Sequence, residues 1–244
     1  MKTFLNLKQY LILFAAIFSL TSCLKSDDPA FQIAATGYIN QVVSENSTGE
    51  GENVTITSEF TPILYVYGNE QISNCTVTMP GSLMSTKKLD DYGMVWLSEG
   101  VVPSDKLPTD AIAISAANAE GDGASFSMSF TSAKEMKTKL ISPIACNPET
   151  KELTFEFNKV ENATEYLVVV RESRSATLYQ SVVVESYTES EISKGKLSLA
   201  EATYAKNLAA GTYIFTTIAI TGTSSNAYFG VIQEGSSVSY TKAE

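Results

Sequence analysis

The chain has 244 residues, 44% of them hydrophobic, and its 27 acidic and 17 basic side chains give a formal net charge of −10. A surface this negative repels phosphate backbones and offers no basic stripe, which excludes nucleic acid as an expected partner. The sequence contains no histidine. Nucleophilic triads with histidine, histidine-based zinc sites and imidazole acid–base catalysis are therefore excluded, and we expect no metal ion and no other cofactor.

Residues 1–22 have the pattern of an export signal. Lys2 and Lys8 give the first residues a positive charge, and an apolar run follows from Tyr10 to Leu20. This run is shorter than a membrane span, which needs about 20 residues, and has the length of the apolar core of a signal peptide. The run ends at Leu20-Thr21-Ser22-Cys23, which resembles the lipobox of bacterial lipoproteins. That resemblance implies that the chain is cut before Cys23 and that its thiol is lipidated. The alternative is an ordinary secretory signal with an incidental Cys23, but its usual A-x-A pattern is absent.

Residues 23–30 are predicted to form a flexible tether. The segment from Leu24 to Pro29 is polar, charged and closed by proline, so it has too few apolar groups to pack. It resembles the acidic export tag that sends lipoproteins of the Bacteroides group to the outer face of the outer membrane, although a plain solvated linker fits as well. The expected protein is anchored in the outer membrane by the lipid on Cys23, at the cell surface or else on the periplasmic face.

From Phe31 onward, short apolar and polar alternations are separated by Gly, Asn, Ser and Pro, which is typical of strands. In the first block we predict strands within residues 53–68, 75–79, 94–97 and 112–130. The last segment is expected to be a hairpin. Its turn contains Glu120-Gly121-Asp122-Gly123, which is similar to a calcium loop but lacks the alternating oxygen ligands, so we interpret it as a turn.

The second block has the same character. Strands are predicted within residues 153–157, 166–171, 179–184, 213–220, 228–232 and 238–240. The segment 213–220 is apolar on both faces and is therefore expected to be a central strand. Residues 197–208 fit either a short helix or a poorly patterned strand.

The two blocks echo each other. Leu107-Pro108-Thr109-Asp110 and Leu208-Ala209-Ala210-Gly211 each enter the next-to-last strand of a block, at a spacing close to the about 100 residues of an immunoglobulin-type sandwich. Residues 140–241 look like a fibronectin type III or immunoglobulin-like domain, and the first block resembles that fold more loosely, through Leu107 to Phe130. The resemblance in the second block is carried by Leu153-Thr154-Phe155-Glu156-Phe157, Ala163-Thr164-Glu165-Tyr166-Leu167-Val168-Val169 and Leu208-Ala209-Ala210-Gly211-Thr212-Tyr213.

This resemblance implies an all-β chain of two tandem sandwiches, with domains at 31–139 and 140–244, similar to the two-domain surface lipoproteins of gut Bacteroides species. The second domain departs from the family pattern at two positions. Phe155 stands where a tryptophan is usual, and Tyr213 comes one residue early.

Four aromatic residues are a candidate ligand platform: Trp96, Tyr92, Tyr65 and Tyr67. Aromatic faces stack on the apolar faces of sugar rings, and Tyr65 and Tyr67 are two apart on a predicted strand and so share a face. The competing interpretation is that these side chains belong to the sandwich core, where a single tryptophan is usually found.

The acidic pair Asp90-Asp91, together with Asp105 and Asp110, could supply the two carboxylates of a glycoside hydrolase, which must lie about 5 to 9 Å apart. Loop acids more often serve only to solvate a loop. Cys75 and Cys146 could form a disulfide, but they fall in different predicted domains and fit better as small buried apolar residues.

Three functions follow. The leading hypothesis is a non-catalytic surface lipoprotein that serves as a binding or assembly module, accessory to glycan or nutrient uptake, with a glycan or an outer-membrane protein as its partner. The second is a fimbrial or adhesion subunit that polymerises by strand exchange. The third is a glycoside hydrolase that works through carboxylates alone; we expect no enzyme activity.

Overall fold

The computed structural model describes residues 30–47, 54–130, 135, 145–147, 149–156, 163–173, 176–177, 183–192, 196–200, 211–224 and 227–240. The chain is all-β, as predicted: within these ranges its regular elements are β-strands and a single 3-10 turn at Glu189–Glu191. The described residues contain no helix that is long and apolar enough to cross a membrane. The signal segment 1–22, Cys23 and the tether up to residue 29 lie outside the described residues.

Two compact units divide the described chain. One contains the residues up to Ala133 together with Gly222–Gly230, and the other contains Lys134–Thr221 and the chain from Val231 onward. Each unit is described by itself below.

Seven strands form the first unit. They are β1 (Ile33–Ser47), β2 (Val54–Gly68), β3 (Asn74–Thr78), β4 (Met84–Lys88), β5 (Val95–Gly100), β6 (Ile112–Ala117) and β7 (Gly123–Met128). Strands β1, β2, β5 and β4 lie side by side in that order, and β3, β6 and β7 form a second sheet. In chain order these are the A, B, E, D and the C, F, G strands of an immunoglobulin constant-type sandwich.

The core of the first unit lies between its two sheets. Buried and more exposed residues alternate along β3 and β6, as the period of two in the sequence predicts. The buried cluster consists of Phe31, Ala35, Ile39, Phe60, Leu64, Val66, Ile72, Cys75, Val77, Met79, Ile112, Ile114, Ala116, Met128 and Phe130. Trp96 and Leu107 are partly buried against this cluster.

Seven strands also form the second unit. They are β8 (Ala145–Cys146), β9 (Leu153–Glu156), β10 (Glu165–Arg171), β11 (Val183–Tyr187), β12 (Lys196–Leu199), β13 (Gly211–Ser224) and β14 (Ala227–Tyr240). Strands β12, β9 and β8 form one sheet, and β11, β10, β13 and β14 lie side by side in the other. This three-on-four arrangement of strands is consistent with a β-sandwich.

The prediction that residues 213–220 form a central strand is confirmed. Strand β13 lies between β10 and β14, and all its residues from Tyr213 to Ile220 are buried. Residues 197–199 of the ambiguous segment lie in strand β12, paired with β9, and its residues 201–208 lie outside the described residues.

Candidate functional site

The four candidate aromatic residues do not share one exposed face. Trp96 is paired with Val66 on β2, and Tyr65 is paired with Leu97. Neighbouring residues on a strand point to opposite faces of the sheet, so Trp96 lies on the core side with Val66, and Tyr65 and Tyr67 lie on the other side. Tyr65 is 1% exposed.

The surroundings of these residues show how each one is used. Tyr65 packs edge-to-face against Tyr38, with ring centroids 6.3 Å apart, an arrangement that stabilises aromatic pairs. Trp96 is half-buried against the core, and its indole Nε1–H donates to the carbonyl of Gly93 at 3.3 Å. Only Tyr92 among the four is largely exposed, at 78%. Its turn therefore offers one aromatic face and not a coplanar platform.

The structure separates the candidate acids into two places. Asp90 caps the turn between β4 and β5, where its carboxylate accepts from the backbone amide of Val95 at 3.1 Å. Asp105 and Asp110 follow β5 at its other end. Five residue steps along β5 span about 17 Å, so Asp90 and Asp91 are too far from Asp105 and Asp110 for a glycosidase pair.

Asp105 and Asp110 instead lie together in a cleft at one end of the first sandwich. Its volume is about 610 Å³, within the range of ligand pockets. Three parts of the chain form it: the middle of β2, the corner between β3 and β4, and the loop between β5 and β6. The lining residues are Glu59, Pro62, Met79, Pro80, Gly81, Ser82, Val102, Pro103, Ser104, Asp105, Lys106, Leu107, Pro108, Thr109 and Asp110.

Backbone hydrogen bonds fix the loop that carries the two aspartates. The amide of Ser104 donates to the carbonyl of Phe60 at 2.9 Å, and the amide of Phe60 donates back to Ser104 at 2.8 Å. This reciprocal pair joins the loop to β2. The Ser104 hydroxyl also accepts from the amide of Lys106 at 3.1 Å, and Leu107 packs onto the core. The cleft wall is therefore fixed at Ser104 and at Leu107, on either side of Asp105.

The opposite wall is a tight turn. The amide of Ser82 donates to the carbonyl of Met79 at 3.2 Å, which closes a β-turn with Pro80 and Gly81 at its centre. Gly81 has φ of +70°, and proline followed by a glycine with positive φ is the signature of a type II turn. A side chain at this position would be strained, so the Pro-Gly pair determines the shape of the corner.

The floor of the cleft depends on a close contact between β5 and β2. A Cβ atom added to Gly100 would lie 2.9 Å from Cδ of Pro62, closer than two carbon atoms approach without displacement. Glycine at this position therefore lets Pro62 pack directly on the end of β5.

The cleft is acidic. Glu59, Asp105 and Asp110 face one cation in the lining, Lys106, and all four residues are exposed. Exposed carboxylates interact with ligand charges through water-screened attraction. The lining therefore carries two more acidic than basic side chains.

An apolar rim adjoins the acidic segment. Leu83 is 66% exposed, Val101 is 52% exposed and Val102 is 63% exposed. The amide of Val101 donates to the carbonyl of Leu83 at 2.8 Å, which holds these two residues side by side, and Val102 itself lines the cleft. Large aliphatic side chains that cluster at the surface mark contact sites more often than scattered ones do.

The Glu120 to Gly123 segment is a turn organised by Asn118. The Asn118 side-chain oxygen accepts from the amides of Asp122 at 2.8 Å and Glu120 at 3.1 Å. No group of three or more Asp, Glu, Cys or His residues in the described ranges could hold a metal ion.

Cys75 belongs to the core of the first unit and is a free thiol. Its burial raises the pKa of the thiol to about 11, which makes it a poor nucleophile at neutral pH.

No family model matches the sequence, and no curated protein matches it. Sequence analysis had singled out Asp105 and Asp110, but it missed Glu59 and the apolar rim. The sequence signal for the rim was the valine pair 101–102, which stands between a predicted strand and a proline-rich loop. Glu59 had no such signal, because only the fold brings β2 next to this loop.

Proposed function

We propose that the protein is a non-catalytic lipoprotein of the outer membrane surface, tethered through lipidated Cys23, that recognises a partner through the cleft of its first sandwich. The second sandwich is a spacer and assembly module. Such a protein serves as an accessory to nutrient uptake, where an anchored module retains a glycan or a transport protein at the surface.

The cleft is the observation that supports this proposal. It is built on a rigid sandwich from corner loops, which is where immunoglobulin-type folds present their recognition residues. Its acids are exposed side chains, one on β2 and two on a loop. This exposure suits charge recognition better than general acid catalysis, since burial is what raises the pKa of a carboxyl enough for it to donate a proton at neutral pH. The sequence also has no histidine, so imidazole acid–base catalysis is not available, and this too favours binding over catalysis.

The lipid anchor is tested by metabolic labelling with an alkyne analogue of palmitate. The wild-type protein should incorporate the label and Cys23→Ala should not. Equal labelling of both proteins, or of neither, would contradict the anchor.

Cleft recognition is tested in intact cells with a photocrosslinking amino acid placed at Thr109, in the cleft, or at Ser125, an exposed position on β7. We expect a discrete crosslinked adduct from position 109 and none from position 125. Absence of an adduct at 109, or an identical adduct at both positions, would rule out the cleft as the recognition site.

A further inference from the structure

The lining of the cleft says which chemistry it accepts. Glu59, Asp105 and Asp110 outnumber the single cation Lys106, so the cleft has an excess of two negative charges. The hydroxyl groups of a neutral glycan can donate hydrogen bonds to these carboxylates but carry no net charge for the cleft to attract, and an anionic glycan would be repelled. A lysine or arginine side chain in the cleft would be attracted to these carboxylates, because opposite charges in contact attract even when water partly screens them.

The cleft also has no aromatic lining. None of its lining residues, all of which lie in the part of the chain that the structure describes, is Trp, Tyr or Phe. Sugar rings are usually held by stacking on such faces. Pro80, Pro103 and Pro108 instead provide rigid aliphatic walls, and these match aliphatic side chains.

The rim completes the pattern. Leu83, Val101 and Val102 expose aliphatic surface directly beside the acidic segment. A ligand that bound only as a cation would leave this surface in water. A ligand with apolar side chains next to its positive charge would cover the rim while it fills the cleft, and burial of each aliphatic side chain would add to the affinity.

We propose that the cleft binds an extended, basic and apolar segment of a partner protein. One lysine or arginine enters between Glu59, Asp105 and Asp110, and aliphatic side chains on either side pack against Leu83 and Val102. This inference rests on the proposed function and narrows the partner from glycan or protein to a protein segment.

Three fluorescent peptides test this proposal against the full mature chain in detergent by fluorescence anisotropy. In the first, Val-Ser-Lys-Ser-Val, the two valines lie two residues from the lysine and so share its face in an extended chain; in the second, glutamate replaces lysine; in the third, serine replaces one valine. We expect saturable binding of the first peptide, weakened by added salt, and no measurable binding of the second. The third should bind more weakly than the first by about tenfold, the contribution of one buried aliphatic side chain.

Matched variants locate the binding. Asp105→Asn with Asp110→Asn should weaken the first peptide about fivefold, as expected for exposed charge pairs, whereas Asp91→Asn at the far end of β5 should not. Val102→Ser should weaken it about fivefold, and Val42→Ser, at another exposed valine, should leave the affinity unchanged.

The proposal is overturned if the glutamate peptide binds as well as the lysine peptide, or if the two control variants weaken binding as much as the cleft variants do. It is also overturned if soluble starch or another neutral polysaccharide displaces the peptide from the cleft. A crosslinked adduct at position 109 in cells without peptide binding would refute this ligand class and leave the proposed function standing. Loss of both would refute the two together.

Discussion

Replacement of Asn118 by alanine should destabilise the first sandwich, because this side chain organises the turn between β6 and β7. Asn118 is 5% exposed. Its oxygen accepts from the amides of Asp122 and Glu120 at 2.8 and 3.1 Å. Its Nδ2 donates to the carboxylates of Asp122 and Glu70 at 3.3 and 3.4 Å. Alanine removes all four contacts at once.

The magnitude follows from these distances. The two short hydrogen bonds to backbone amides are each worth about 1 kcal/mol net. The two longer contacts add less, since hydrogen bonds weaken towards 3.5 Å. The expected loss is about 2 to 3 kcal/mol of unfolding free energy, which lowers the Tm of a domain of this size by roughly 10 to 20 °C.

Urea unfolding followed by tryptophan fluorescence measures this loss. Trp96 is the only tryptophan of the chain and it lies in the first unit, so its emission reports on that unit. Ser125→Ala, at an exposed position on β7, is the control and should change stability by less than about 0.5 kcal/mol. Asn118→Asp keeps the acceptor oxygen but adds a carboxylate beside Glu70 and Asp122, so its destabilisation should grow from acidic to neutral pH.

Two results would refute this argument. The first is a loss from Asn118→Ala no larger than that of the control. The second is a calcium-induced rise in the wild-type unfolding midpoint, which would show that the loop is a metal site and not a turn stabilised by its own amide.

Three further outcomes are expected. Gly100→Ala should cost about 1 to 3 kcal/mol by urea unfolding, because the new methyl group meets the Pro62 ring at 2.9 Å; wild-type stability would contradict the close contact. In a Cys146→Ser background, iodoacetamide should label Cys75 only after urea is added. Because burial raises the pKa of Cys75 from 9.0 to about 11, the neutral thiol favours the folded state, and stability should fall as pH rises from 9 towards 11; labelling of the folded protein at neutral pH would contradict this. Lys87→Ala should lower the unfolding free energy by less than about 1 kcal/mol in the same urea assay, because its ion pair with Glu99, at 3.7 Å across β4 and β5, is exposed. A larger loss would mean that water does not screen this pair.

Strand positions could be predicted from the sequence because period-two patterning is local. The alternation of Phe126, Met128 and Phe130 with serines fixes which residues face the core, and the structure places Phe130 there with no exposure. The spacing between Leu107 and Leu208 predicted two similar sandwiches, because it is close to the length of one immunoglobulin-type domain. The two strand orders differ in one place, since β4 lies beside β5 whereas β11 lies beside β10, and Leu208 lies outside the described residues.

The cleft could not be predicted, because its walls are distant in sequence. Glu59 and Asp110 meet only because β2 and the loop after β5 are adjacent, a pairing that depends on the arrangement of the whole sheet. Likewise, the alternation that places Tyr65 and Tyr67 on one face says nothing about which face is covered. Trp96 is one register position away on the neighbouring strand, and that single step puts it on the other side of the sheet.

The hydrogen bonds between Phe60 and Ser104 have a consequence for how recognition could change over time. Both bonds use main-chain atoms, which every residue except proline supplies in full. Substitutions at Asp105, Thr109 or Asp110 would therefore alter what the cleft selects and leave its frame intact. Homologous proteins with this sandwich can therefore acquire new partners by substitution of a few loop side chains, while the stability of the core that supports the loop stays unchanged.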